Sequence, residues 1–170
     1  DTDWRLGFVG RNGRGKTTFL NLLLGKYEYK GSIRASVRFT YFPFSVADPA
    51  RDTIDVLAEA TEGAPEWKLL RELGRMGMDV ELLYRPFETL SPGERTRALL
   101  AALFLRENNF LLIDEPTNHL DVEGRALLRD YLRTKKGFIL VSHDRAFLDG
   151  CVDHILSINR ANITVTRGNL

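Results

Sequence analysis

Gly10-Arg11-Asn12-Gly13-Arg14-Gly15-Lys16-Thr17 combines residue types suited to one task, holding a chain of phosphates. Glycines let backbone N–H groups turn inward and ring an anion. The apolar run at residues 4–9 reads as a buried strand, and residues 17–24 have helical character. A helix starting beside the loop aims its positive end at the same anion. Lys16 would reach the outer phosphates, and the Thr17 hydroxyl would ligate Mg²⁺. A chance match in a glycine-rich turn is the bland alternative, and the flanking strand and helix weigh against it.

A second group of chemical side chains follows the apolar stretch Phe110-Leu111-Leu112-Ile113, which ends in Asp114-Glu115. A buried strand would deliver Asp114 to the carboxyl edge of a sheet, where ligands of open α/β sheets bind. Asp114 can hold a metal, and Glu115 can polarise an attacking water as a general base. Adjacent strand residues would face opposite sides, which suits two different jobs. Two acids after a strand are by themselves most often a polar turn. A phosphate loop upstream makes the chemical reading the better one. Ser91-Pro92-Gly93-Glu94 is an S-x-x-E capping box with proline at the first helical position, so a helix should begin there.

Leu90-Ser91-Pro92-Gly93-Glu94 also resembles the ABC signature sequence. Asp114-Glu115-Pro116-Thr117-Asn118-His119-Leu120-Asp121 is similar to Walker B running into the D-loop, and Ser142-His143-Asp144-Arg145 to the H-switch. In this order, with the glycine loop, they identify the chain as resembling the ABC ATPase family. The wording around His119 and from Ser142 to Asp149 resembles the ABC-F subfamily. Phe19-Leu20-Asn21-Leu22-Leu23-Leu24-Gly25-Lys26-Tyr27-Glu28 and Tyr41-Phe42-Pro43-Phe44 are similar to the first domain of its lincosamide, streptogramin and pleuromutilin resistance branch.

The resemblance implies ATP and Mg²⁺ as ligands. Asn12, Gly13, Arg14, Gly15, Lys16, Thr17 and Thr18 would surround the nucleotide, with Thr17 and Asp114 at the metal. Glu115 would be the base and His143 the switch that touches the γ-phosphate and orients Glu115. Ser91, Gly93 and Glu94 would meet nucleotide held by a second ABC ATPase domain. His119 would lie at the domain interface with no catalytic role. Members of the subfamily are soluble, act on the ribosome and carry two such domains, so the resemblance implies a cytoplasmic protein without direct membrane insertion. Two rival readings share the motifs: the ATPase subunit of a membrane transporter, and a weakly hydrolysing ATP-dependent dimerisation module.

Two departures stand out against the family pattern. Phe44 occupies the place of a glutamine that touches Mg²⁺ and water, which implies looser metal coordination or a slower site. Only nine residues precede Gly10, so the upstream adenine-stacking aromatic has no counterpart, and Trp4 reads as core. The chain therefore resembles a truncated first domain.

The elements needed to position these groups are legible in outline. Residues 32–42 read as extended, and 52–84 as two or three short helices. Helices are expected at 92–105, at 122–132 behind an Asp121 N-cap, and from Arg145. Strands are expected at 137–141, 154–159 and 162–167, the last two joined at Arg160-Ala161. Alternating strands and helices predict an α/β fold. In the terms of the resemblance this is a P-loop NTPase with a largely parallel sheet flanked by helices and an inserted helical subdomain. The core is expected over 1–47 and 93–170, the helical subdomain over 48–92.

The 170 residues suit one ATPase domain, and 24 basic against 23 acidic residues give no general pull toward a polyanion. The lone Cys151 excludes an internal disulfide and fits a reducing compartment. It and His154 read as structural. No apolar run in this stretch approaches membrane-spanning length, and no charged-then-apolar leader is visible in it, so neither a span nor a secretory signal is expected from these residues.

Overall fold

The computed structural model describes residues 2–9, 13–158 and 163–168, with only the backbone of Gly13 and Arg14. Contacts divide the chain into two compact units: Asp1–Phe42, Asn108–Glu115 and Lys135–Leu170 form one, Pro43–Glu107 and Pro116–Thr134 the other. The 48–92 segment expected from sequence lies within the second unit, which also takes in residues 43–47, 93–107 and 116–134.

The first unit is a six-stranded sheet in the order β2-β3-β4-β1-β5-β6. Its strands are β1 (Arg5–Val9), β2 (Arg38–Phe42), β3 (Asn109–Asp114), β4 (Phe138–Val141), β5 (His154–Ile158) and β6 (Ile163–Arg167). Neighbours run parallel except β5 and β6, which pair antiparallel. The continuous apolar runs of β3 and β4 follow from cover on both faces. Leu6 and Phe8 point to one face, packed with Leu20, Phe110, Leu112, Ile139, Val141 and Leu156. Phe19 of α1 (Gly13–Leu23) stacks on Phe8 there, with ring centroids 5.3 Å apart. Gly7 faces the other way, where a Cβ would meet Leu148 of α6 (Arg145–Cys151) at 3.2 Å and Val152 at 3.1 Å. Helices therefore cover both faces of β1.

Helix α1 stops where Gly25 adopts φ 73°. The Gly25 N–H bonds the Leu22 carbonyl and the Lys26 N–H the Asn21 carbonyl, a Schellman closure. Strand β2 is shorter than the extended stretch expected at 32–42. Its ladder to β3 opens with Arg38 opposite Asn109, and Asn108, at φ 50°, turns the partner chain away. Residues 32–37 then have no β3 residue to pair with. The Arg160-Ala161 connection lies outside the described residues. β6 is exposed throughout and carries threonine and arginine, which blunts a sheet edge.

At the opposite end of β1, Trp4 stacks on His154 at 4.1 Å and His154 Nδ1 sits 2.7 Å from Asp153 Oδ1. The Arg5 N–H donates to the same carboxylate at 3.0 Å, and its guanidinium stands 3.6 Å away. Burial pushes the Asp153 carboxyl up, but the His154 hydrogen bond, the Arg5 amide and the Arg5 guanidinium outweigh it and hold it below the ordinary value. A depressed folded value means that stability is fully present above the unfolded carboxyl's pKa and drains away as pH falls through the folded one. We expect Asp153→Asn to flatten the acid limb of melting temperature against pH below about pH 4. An unaltered acid limb would show that this carboxylate does not couple to folding.

The second unit is helical: α2 (Thr53–Ala60), α3 (Glu66–Arg75), α4 (Pro92–Leu103) and α5 (Val122–Arg133), with 3₁₀ turns at Val80–Tyr84 and Phe87–Thr89. Leu57, Leu69, Leu73, Met76, Leu100, Leu103 and Leu132 are buried. Among them lies Glu72, at 0% exposure. It accepts a hydrogen bond from the Tyr131 hydroxyl at 2.5 Å and pairs with Arg71 and Arg75, each at 3.3 Å. Among the described residues no helix is long and apolar enough to cross a membrane.

Candidate functional site

The register of the sheet decides which groups share an edge. Phe8 pairs with Val141, and Val141 pairs with Asp114, so the three stand in one row across β1, β4 and β3. At about 4.8 Å per strand the Cα atoms of Phe8 and Asp114 are about 10 Å apart. Val9 follows Phe8 and closes β1, so β1 and β3 end at the same edge of the sheet. Period-two alternation then selects the face. Asp114 shares it with Leu112 and Phe110, the face that α1 covers. Lys16, in the first turn of α1, is only 7% exposed. Gly10, Arg11 and Asn12 lie outside the described residues, as do the side chains of Gly13 and Arg14.

Tyr41 belongs to the site, a place that no sequence motif marks. Its hydroxyl donates to Asp114 Oδ2 at 2.7 Å. Burial, then that hydrogen bond and the nearby negative charge, push the phenol well above its ordinary pKa, so it stays a donor. The available signal was alternation: Val37, Phe39 and Tyr41 all pack the same core face.

Glu115 leaves the strand. Its φ of 48° is left-handed, a conformation that costs a non-glycine residue about 1–2 kcal/mol. The expectation that strand alternation separates Asp114 from Glu115 is therefore corrected: β3 ends at Asp114, and a backbone turn parts the two carboxylates. Such strain concentrates at functional sites. The turn leaves Glu115 Oε2 accepting from the His143 N–H at 3.2 Å. His143 Nε2 stands 3.2 Å from Oε1, out of line for a hydrogen bond, and that buried oxygen has no hydrogen-bond partner. The His143 side chain itself is 81% exposed. Ser142 Oγ accepts from the Asp144 N–H at 3.1 Å, and Asp144 caps α6 through the Phe147 N–H at 3.0 Å. These bonds anchor the turn that carries His143.

The donor set suits Mg²⁺ bound with a triphosphate. That ion keeps several waters and needs only one or two protein oxygens beside the phosphates. Asp114 and Thr17 could supply them, and no group of three or more His, Cys, Asp or Glu side chains competes for a metal among the described residues.

Within the second unit the capping box forms as its sequence requires. Ser91 Oγ accepts from the Glu94 N–H at 3.1 Å, and Glu94 Oε1 accepts from the Ser91 N–H at 2.8 Å. The Ser91 hydroxyl keeps its own proton to donate. Phe44 also lies in this unit, with the Arg106 guanidinium 5.2 Å from its ring, and lines a cavity of ≈ 380 Å³ with Arg51, Val56 and Glu59. Arg106 is held by the Ala60 carbonyl at 2.7 Å and Glu62 at 3.2 Å. Phe44 thus has a packing partner of its own. Trp4 stacks on His154, and Cys151 is buried, so both are structural, as expected.

Comparison with known proteins agrees with this architecture. The family model for the ABC transporter matches residues 1–118. The chain is 38% identical over 155 residues to human ATP-binding cassette sub-family F member 3, covering 87% of this chain and 22% of the relative. It is 40% identical over 157 residues to the ATP-binding protein Uup-like of Haemophilus influenzae, covering 85% of this chain and 34% of that one. It therefore spans about a fifth to a third of the length of these relatives. Among solved structures, a dimeric post-hydrolysis ATP-binding cassette bound to ADP and Pi superposes with a TM-score of 0.75 at 14% identity, over 98% of this chain and 86% of that one, a likeness of fold. The chain belongs to the ABC transporter family, as an ATP-binding cassette domain with relatives in sub-family F.

Proposed function

We propose that this domain binds Mg-ATP and hydrolyses it when a second ABC domain closes over the nucleotide. The observation that supports this reading is the row from Phe8 to Asp114, in which the strand before the glycine motif and the strand before the carboxylate pair end at one edge of the sheet. Lys16 and the α1 amides hold the phosphates. Asp114, oriented by Tyr41, and Thr17 hold Mg²⁺, which when bound neutralises phosphate charge. Glu115 takes a proton from the attacking water, and His143 steadies the carboxylate. The partner's signature helix supplies the remaining donors, so a lone domain holds half of each site. Catalysis then rests on positioning and charge stabilisation.

The full-length protein is an ABC-F type ATPase acting on the ribosome, in the branch that protects it from antibiotics. Sub-family F relatives and the wording of residues 114–121 and 142–149 support the subfamily, and residues 19–28 and 41–44 support the branch. The test is phosphate release by the isolated domain over a range of protein concentrations. Specific activity should rise with concentration and vanish in Lys16→Ala. Fast hydrolysis independent of concentration would refute the two-domain site. Full-length protein carrying Glu115→Gln should pellet with ribosomes in ATP and not in ADP, and failure to do so would remove the ribosomal reading alone.

A further inference from the structure

The turn after the carboxylate pair is clamped between two helix starts. The Leu120 N–H bonds the Thr117 carbonyl at 3.1 Å, which closes the turn. Asp121 then caps α5, its Oδ1 accepting from the Gly124 N–H at 2.7 Å. The Leu120 side chain, 8% exposed, fills the space between the first turns of α4 and α5. Both helices offer glycine there. A Cβ on Gly93 would lie 2.9 Å from the His119 carbonyl oxygen and 3.2 Å from Leu120 Cδ2. One on Gly124 would lie 3.4 Å from the same methyl. The first distance is shorter than real Cβ contacts allow, and its partner is backbone that cannot swing aside. Gly93 is therefore required for its missing side chain as well as for any amide contact.

We propose that Leu120 is a positioning residue, which with the His119 carbonyl sets the orientation of the signature helix end bearing Ser91 and Gly93. This rests on the two-domain reading above. The turn begins two residues beyond Glu115 in the chain, so the segment that carries the catalytic carboxylate also registers the helix end offered to the partner's nucleotide. Leu120 touches no substrate and acts only through α4. Shortening it would let that helix end shift, and a misplacement near 1 Å can cost turnover about 100-fold.

The experiment measures kcat of the full-length protein beside the number of sites that bind a fluorescent ATP analogue, for Leu120→Val, Leu120→Ala and Leu120→Met at 25 °C. We expect kcat per binding-competent site to fall about threefold in Leu120→Val and about tenfold in Leu120→Ala, and to return in Leu120→Met, which keeps the volume. Normalising to binding sites removes any loss from unfolding, since an unfolded molecule loses its site and its turnover together. Parent-like kcat per site in both shortened variants overturns the proposal, and so does activity lost only in proportion to binding sites. Failure of the underlying reading appears elsewhere, as parent turnover that survives Ser91→Ala and Glu115→Gln.

Discussion

Glu115→Gln is expected to leave ATP binding near the parent level and to lower turnover by about 10²–10⁴-fold, the range that a positioned general base contributes. Glutamine keeps the size of the side chain and can still accept the His143 N–H bond that holds Glu115 Oε2. It cannot take a proton from water. The strained turn at φ 48° belongs to the backbone and survives the change, so the site should stay assembled. Nucleotide binding by fluorescence, read beside phosphate release from the paired protein, separates the two effects. Turnover maintained in this variant would remove Glu115 from the chemistry. Loss of binding would make its role structural.

The second large effect concerns stability, at Glu72. Removing this carboxylate in Glu72→Ala is expected to cost about 3 kcal/mol, most of it from the cavity and from the lost acceptor of the Tyr131 hydroxyl. The paired arginines contribute little to that figure. Their side chains are 45% and 52% exposed and can turn to water. At about 2–4 °C per kcal/mol for a domain of this size, the melting temperature should drop by about 6–12 °C. Tyr131→Phe, which leaves the cavity filled, should cost about 1 kcal/mol. Burial first, then Glu72, pushes the Tyr131 phenol above its ordinary pKa, partly opposed by the arginines. The neutral phenol's contribution is thus fully present below the unfolded value near 10 and fades as pH rises past it. A melting temperature unmoved by Glu72→Ala would show that α3 and α5 do not depend on this contact.

Local patterns in the chain already carried most of the elements. S-x-x-E announced the start of α4, and the capping box formed with both bonds. Asp121 was legible as the cap of α5. Each depends on bonds spanning only a few residues, which neighbouring residue types specify. Residues 32–37 form no strand, because extended character by itself is not enough. A strand needs a partner ladder, and that ladder began only where β3 presents Asn109.

By its residues alone the chain declared a phosphate loop, a carboxylate pair at a strand end and a capped signature helix, because backbone geometry and ionic chemistry over short spans require those types. Tertiary structure alone placed Asp114 in the row of Phe8, brought Tyr41 to Asp114, turned Glu115 toward His143 and set Leu120 against Gly93. Strand register and close backbone approach depend on partners far away in sequence, and no local pattern encodes which partner a strand or turn will meet.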